Sequence, residues 1–214
     1  MYLSLMTRCK HYIMASILVL AFMVSWMPVA ALASSYTETQ LIQQAEQAVS
    51  KITTLQAKCL QVSSDGSVGE GVLYFRRPTQ LRLEYQNPNS LTLITSRVWL
   101  YVDDKIAKSV QAIPLGQTPL SPLLKETVSF RSEEFTTSAS ARDGIAVISM
   151  RKEDGDAAGQ LDLEFDTDSW QLRRWIITDL LGVKTIVTLQ NPVYGRALAN
   201  RLFGVPSYPL AADN

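Results

Sequence analysis

From Leu55 onward, apolar and polar side chains alternate in short runs broken by glycine, proline, asparagine and aspartate. Alternation with a period of two marks strands that bury one face. Leu81, Leu83 and Tyr85 alternate with Gln80, Arg82 and Glu84, and Leu161, Leu163 and Phe165 alternate with Gln160, Asp162 and Glu164. Leu55, Ala57 and Cys59 share a face opposite Gln56 and Lys58 in a first strand over Leu55–Val62. The run Val72-Leu73-Tyr74-Phe75 is apolar on both faces, so each side of the sheet needs a cover. Pro78 lacks an amide hydrogen and biases Arg77 toward an extended conformation, which ends that strand and holds Arg77 at its tip. Further strands are expected over Ser90–Thr95, Val98–Val102, Ile106–Ile113, Val128–Phe135, Ile145–Lys152, Gly159–Phe165, Trp170–Thr178 and Val183–Gln190. Turn chemistry separates them at Ser63–Gly66, Asn87-Pro88-Asn89, Asp103-Asp104, Arg142-Asp143-Gly144, Asp154-Gly155-Asp156, Asp166-Thr167-Asp168 and Leu181-Gly182.

Helical periodicity occurs in one long stretch, Ser35–Ile52. Thr37-x-x-Gln40 has capping-box spacing, and Leu41, Ala45, Ala48, Val49 and Ile52 fall on one face, opposite Gln43, Glu46, Gln47 and Lys51. Such a stripe reads as ordinary packing on a sheet. A second, short helix is expected after Thr118, with the threonine as N-cap, Pro119 at the first position and Leu120, Leu123 and Leu124 on one side. Arg196–Phe203 is expected to be a single turn pinned by Leu202 and Phe203. About ten or eleven consecutive antiparallel strands exceed what a flat open sheet holds without curling. The fold class is therefore α+β: a strongly curved sheet, or unclosed β-barrel, with the long helix in its concavity.

The start of the chain departs from this pattern. Arg8, Lys10 and His11 precede an acid-free apolar stretch, Ile13–Val29, and Ala31-Leu32-Ala33 is an A-x-A cleavage motif. Residues 1–33 are expected to be a signal peptide, with a mature single domain over 34–214 beginning at Ser34. An uncleaved anchor is the alternative, since the stretch is nearly long enough to span a bilayer. No cysteine stands at the cleavage point, which argues against lipid attachment there.

Removing 33 residues from 214 leaves 181, enough for one domain with a sizeable core. The leader takes two basic residues and no acidic one from a balance of 20 and 20, so the mature net charge is −2. With no Lys/Arg cluster either, no nucleic-acid partner is expected. The only histidine, His11, leaves with the leader, which excludes a Ser-His-Asp triad and the commonest zinc ligand. Cys9 leaves too, so Cys59 has no partner for an intramolecular disulfide.

No catalytic constellation emerges. Asp103-Asp104, Glu133-Glu134 and Asp166/Asp168 read as solvated turn or strand-edge residues rather than a glycosidase-like pair. Asp154-Gly155-Asp156 lacks the remaining ligands of a calcium loop, and Arg173-Arg174 reads as one exposed and one sheet-covering side chain. No metal or cofactor is expected. What stands out is apolar excess: the faces carrying Leu73/Phe75, Leu81/Leu83/Tyr85, Trp99/Tyr101 and Leu161/Leu163/Phe165 exceed what one thin helix covers. On pattern alone a plain hydrophobic core stands ahead of a ligand cavity.

The run Gly71-Val72-Leu73-Tyr74-Phe75-Arg76-Arg77-Pro78, followed by Leu81-Arg82-Leu83-Glu84-Tyr85, resembles the periplasmic outer-membrane lipoprotein carriers of the LolA type. The similarity continues through Leu60-Gln61, Val98-Trp99-Leu100-Tyr101, Thr118-Pro119 with Leu123-Leu124, and Leu172-x-x-Trp175-x-Ile177-x-Asp179-x-x-Gly182-x-x-Thr185. This late run is similar to alphaproteobacterial members. The chain departs from the family at Thr95-Ser96-Arg97, a shorter turn than the usual Asp-Gly form.

The resemblance implies a concave face that binds acyl chains, made by Leu55, Ala57, Cys59, Leu73, Phe75, Leu81, Leu83, Tyr85, Trp99, Tyr101, Leu161, Leu163 and Phe165. It implies a lid helix with Leu120, Leu123 and Leu124, and gives Arg77 the role of the arginine that holds the lid shut. The partners it implies are acylated lipoproteins as cargo, an ATP-driven (ABC-type) release complex in the inner membrane and an outer-membrane acceptor. A monomeric, non-enzymatic periplasmic carrier is the resulting expectation. Two rivals remain: a lipid-cavity sensor of envelope stress, and a histidine-free secreted hydrolase.

Overall fold

The computed structural model describes residues 36–86, 90–153, 155 and 158–208. The expected leader with its cleavage site, the Asn87-Pro88-Asn89 turn and two residues of the Asp154-Gly155-Asp156 turn lie outside them. No described helix is long and apolar enough to cross a membrane.

Helix α1, Glu38–Lys51, starts later than its periodicity suggests because Thr37 is its cap. The Thr37 backbone is extended, its hydroxyl accepts from Gln40 N, and Gln40 Oε1 accepts from Thr37 N, closing the capping box. Leu41, Ile42, Ala45 and Val49 are buried, each of the larger ones contributing about 1.5–3 kcal/mol of apolar transfer.

Eleven strands follow in one antiparallel sheet: β1 Thr54–Ser63, β2 Val68–Arg76, β3 Gln80–Gln86, β4 Leu91–Ser96, β5 Trp99–Asp104, β6 Ser109–Pro114, β7 Thr136–Arg142, β8 Ile145–Lys152, β9 Gly159–Asp166, β10 Leu172–Thr178 and β11 Lys184–Tyr194. Their spatial order is β6-β5-β4-β3-β2-β1-β11-β10-β9-β8-β7. Two meanders are thus sewn together by the β1–β11 pair, and β6 and β7 remain unpaired edges, so the curled sheet does not close. The segment between those edges, residues 115–135, contains a 3-10 turn, Leu115–Gln117, and the short helix α2, Ser121–Leu124. It puts Leu115, Leu123, Leu124 and Phe130 into the same apolar cluster as the sheet and α1.

Helix α1 packs on β7 and β8. Glu38 Oε1 accepts from Ala139 N on the edge strand at 3.2 Å, giving that amide a partner. Glu46, which periodicity puts on the solvent side, accepts from Phe130 N at 2.7 Å and pins the incoming loop.

Several sequence expectations shift here. Val128–Phe135 is not a strand: Phe130 is fully buried in the core, and the strand begins at Thr136. Periodicity favoured the apolar stretch over the polar Thr136–Arg142, but an edge strand exposed on one side needs few apolar residues. The Asp103-Asp104 pair closes β5 instead of forming a turn, and Asp103 is buried, accepting from Tyr208 Oη at 2.7 Å. Nor is Thr118 the cap of α2. Its hydroxyl donates to Leu115 O at 2.8 Å, finishing the preceding 3-10 turn, while Leu120 occupies the cap position without a side-chain bond. The Arg142-Asp143-Gly144 turn is as expected, with Asp143 and Gly144 both at positive φ, the geometry of a tight hairpin. The shortened hairpin before Trp99 turns through Arg97 at φ 47°.

Candidate functional site

Cross-strand register defines the two faces. Leu55 pairs with Phe75 and Phe75 with Leu81; Ala57 pairs with Leu73 and Leu73 with Leu83. Across the β1–β11 seam the same face continues from Val187 through Trp175 and Leu163 to Ile148. This concave side is the apolar one. Leu55, Ala57, Cys59, Leu73, Phe75, Leu81, Leu83, Leu161, Leu163 and Phe165 are all buried in one cluster, with Tyr85 half-buried against it.

Trp99 and Tyr101 do not belong to that face. Leu83 pairs with Leu93 and Leu93 with Val102, so alternation turns Tyr101 and Trp99 outward with Ile94 and Arg82. Trp99 is 41 % exposed. Leu100 and Leu93 pack on the apolar cluster in their place. The outer side of β3–β5 is covered by the chain after β11: Arg82 Nη1 donates to Leu202 O at 3.1 Å, and Arg76 lies over the buried Phe203 ring at 4.7 Å.

Within the concavity one apolar cavity of ≈ 40 Å³ remains, walled by Leu55, Leu73, Phe75 and Leu81 and roofed by Leu120, Leu123 and Leu124. Val49 and Ile52 of α1, and Leu172 and Trp175 of β10, complete its lining. Sequence reasoning left these four out of the site, although Val49 and Ile52 were on the helix stripe and Leu172 and Trp175 in the late motif. Ala57, Cys59, Leu83, Leu161, Leu163 and Phe165 belong to the same buried cluster without lining the cavity. Ligand pockets usually measure about 300–1,000 Å³, so this space takes a long chain only if the α2 leucines withdraw.

Arg77, directly after β2, reaches both α1 and the end of α2. Its Nε donates to Val49 O at the end of α1 (3.3 Å), and its Nη1 donates to Lys125 O just after α2 (3.0 Å). Both acceptors are carbonyls at helix ends, which have spare bonding capacity. Nη2 is buried with no partner among the described residues, and the guanidinium carbon lies 5.9 Å from the Phe75 ring centroid. The Arg77–Pro78 peptide is cis.

Away from α2 the concave face carries a few polar groups. Tyr85 Oη donates to Gln61 Oε1, and Ser63 Oγ and Thr185 Oγ1 are hydrogen-bonded at 3.1 Å. Burial pushes the Cys59 thiol up to about 12, and burial, reinforced by Cys59, pushes the Tyr85 phenol up to about 12. A thiol held in its protonated form is a poor nucleophile. Among the described residues no group of three or more His, Cys, Asp or Glu side chains could hold a metal ion.

The sequence matches the family described as outer membrane lipoprotein carrier protein LolA over residues 50–206. The chain belongs to the LolA family. Its members are carriers or binding proteins, and its fold is one that binds lipids or lipoproteins. No curated protein sequence matches it. Among solved structures, an uncharacterized conserved protein from Thermus thermophilus is similar, at 10% identity and TM-score 0.50, covering 78% of this chain and 93% of that one. A LolA superfamily protein from Nitrosomonas europaea matches at 10% identity and TM-score 0.48, covering 80% and 99%. MucB matches at 13% identity and TM-score 0.49, covering 79% of this LolA-family chain and 62% of MucB.

Proposed function

We propose that this LolA-family protein is a periplasmic carrier of acylated lipoproteins. The observation that carries the reading is the apolar cavity roofed by Leu120, Leu123 and Leu124, whose roof is tied to the sheet through Arg77. Three long acyl chains carry on the order of 40 methylenes, and at about 0.8 kcal/mol each they do not cross water unshielded. Withdrawal of α2 would enlarge the cavity by the space its leucines occupy, while the apolar surface newly exposed would be covered by the cargo. The same leucines compete with acyl chains for the concave face, so loading and lid closure are alternatives. Arg77 biases that competition toward the closed, empty form.

The sequence offers no phosphate-binding loop, so direction must come from partners. An ATP-driven complex in the inner membrane loads the open form, and an outer-membrane acceptor takes the cargo as the lid closes. Export through a signal peptide cleaved after Ala33 fits this role. The test is purification of the mature chain after incubation with membranes that contain a labelled triacylated lipoprotein and the release complex. Stoichiometric soluble lipoprotein–carrier complex is expected. Label remaining wholly in the membrane, with lipid extraction of the protein yielding no acyl chains, would refute the reading.

A further inference from the structure

Beside the apolar cavity lies a second space of a different kind. A cleft of ≈ 340 Å³ runs between α1 and the β9–β10 turn, and Ile52 and Leu172 line both it and the apolar cavity. The two spaces therefore meet at those side chains. Gln44, Gln47 and Lys51 stand at i, i+3 and i+7 along one side of α1 and face Gln171 and Tyr194 across the cleft.

Its chemistry is that of amides. The three carboxamides each offer donors and an acceptor on one group, and among the described residues none of them has a partner. No carboxylate lines the cleft, and Lys51 is its only charge. A lone exposed lysine is not the cluster of cations that phosphate recognition uses. The Tyr194 hydroxyl is buried and has no partner among the described residues, an arrangement that calls for a polar group from outside. The opposite wall is fixed. Trp170 holds φ +55°, rarely adopted by a large L residue, and packs edge-on to Tyr36 at 5.7 Å and tilted to Phe165 at 6.3 Å. Its amide donates to Asp166 O at 2.8 Å, and Asp166 Oδ1 accepts from Asp168 N, Ser169 N and Ser169 Oγ.

We propose that this cleft binds the first residues of polypeptide following the acylated residue of a lipoprotein, in extended form. The proposal rests on the carrier reading. At the junction between acyl chains and polypeptide, amide and ester groups are drawn to the rim of an apolar cavity, where they lose water and need new hydrogen bonds. Carboxamides from α1 and Gln171 supply both halves of a backbone's pairing without regard to sequence, which suits a carrier of many cargoes.

The experiment compares two ligands on the full mature chain: a triacylated lipopeptide with a short neutral peptide, and the same triacylated cysteine amidated with no peptide. The wild type is expected to prefer the lipopeptide by about tenfold, the scale of neutral hydrogen bonds. Gln47→Ala/Gln171→Ala is expected to erase that preference while leaving affinity for the headless ligand unchanged, with thermal melts confirming an intact fold. Tyr194→Phe is expected to reduce the preference in part. A photo-crosslinker at Gln47 is expected to label the peptide. If both ligands bind the wild type equally, or the double variant keeps the preference, the cleft proposal is overturned and the carrier reading stands. If neither ligand binds, the carrier reading falls and the cleft proposal with it. Labelling of an acyl chain from position 47, or selective retention of a zwitterionic phospholipid by the same glutamines, would also overturn it.

Discussion

Replacing Arg77 by leucine tests the lid directly. The side chain makes two bonds across the closed form, to Val49 O and to Lys125 O. Charge-assisted bonds are worth about 1.5–3 kcal/mol, and the 3.3 Å length of one and the partial exposure of the guanidinium favour the low end, giving roughly 3 kcal/mol together. Leucine also removes the buried, unpartnered Nη2, which returns about 1 kcal/mol. The net loss of about 2 kcal/mol shifts the closed-to-open ratio roughly 30-fold toward open. Two measurements follow. Hydrogen exchange of amides in residues 121–125 should accelerate by that factor if exchange proceeds through lid opening. In a two-compartment transfer assay, loading should persist, while delivery to the outer-membrane acceptor fails and lipoprotein–carrier complex accumulates. The delivery defect arises because re-closing over the cavity no longer helps to expel cargo. Arg77→Lys should restore only part of the closing energy, since one ammonium does not reproduce a planar fork bridging two carbonyls. Unchanged exchange together with normal delivery in Arg77→Leu would reduce the residue to a strand cap.

Four further outcomes are expected. Cys59 should label slowly with thiol reagents in the folded protein and rapidly in denaturant, and fast labelling of the native form would contradict its place in the core. Because the folded pKa values of Cys59 and Tyr85 lie above their ordinary values of 9.0 and 10.0, the stability they contribute is fully present below pH 9. It should fall as pH rises from there toward 12, and Cys59→Ala should delay the onset; a flat profile from pH 8 to 11 would refute this. Gly71→Ala would drive its Cβ into Glu84 O on the neighbouring strand, costing about 1–3 kcal/mol and lowering the melting temperature by about 2–4 °C per kcal/mol; an unchanged melt would mean that β2 and β3 separate freely. Tyr208→Phe would leave the buried Asp103 carboxylate without its phenol, and limited proteolysis should then cut the segment after β11 sooner than in the wild type.

Where one face of a strand is buried and the other wet, the fold is legible from alternation: β3, β8 and β9 have nearly the expected bounds, and β3 and β9 the expected inward residues. Legibility fails where both faces are apolar. Trp99-Leu100-Tyr101-Val102 is apolar throughout although Trp99 is exposed to solvent, and periodicity then has no means of choosing Leu100 over Trp99. The fault at β7 is the converse, since the Ser/Ala alternation of this edge strand involves no large apolar side chain to mark it. The lid leucines and Arg77 were visible through family resemblance, but the partners of Arg77 were not, because a backbone carbonyl has no sequence signature. The same holds for Gln44, Gln47 and Gln171, which look like ordinary surface glutamines until the turn through Trp170 brings them face to face.

The seam between β1 and β11 has a consequence for the order in which the molecule can be assembled. It joins Cys59 to Leu189, roughly 130 residues further along the chain, and closing so long a loop carries an entropy penalty that local hairpins escape. A chain made N-terminus first can form the meander from β1 to β6 and later the one from β7 to β10, but neither is a container. Only when Lys184–Tyr194 arrives do the two curved halves face one another across a shared hollow. The apolar cavity therefore needs the last strand to be complete, and an incomplete chain offers open apolar troughs in its place.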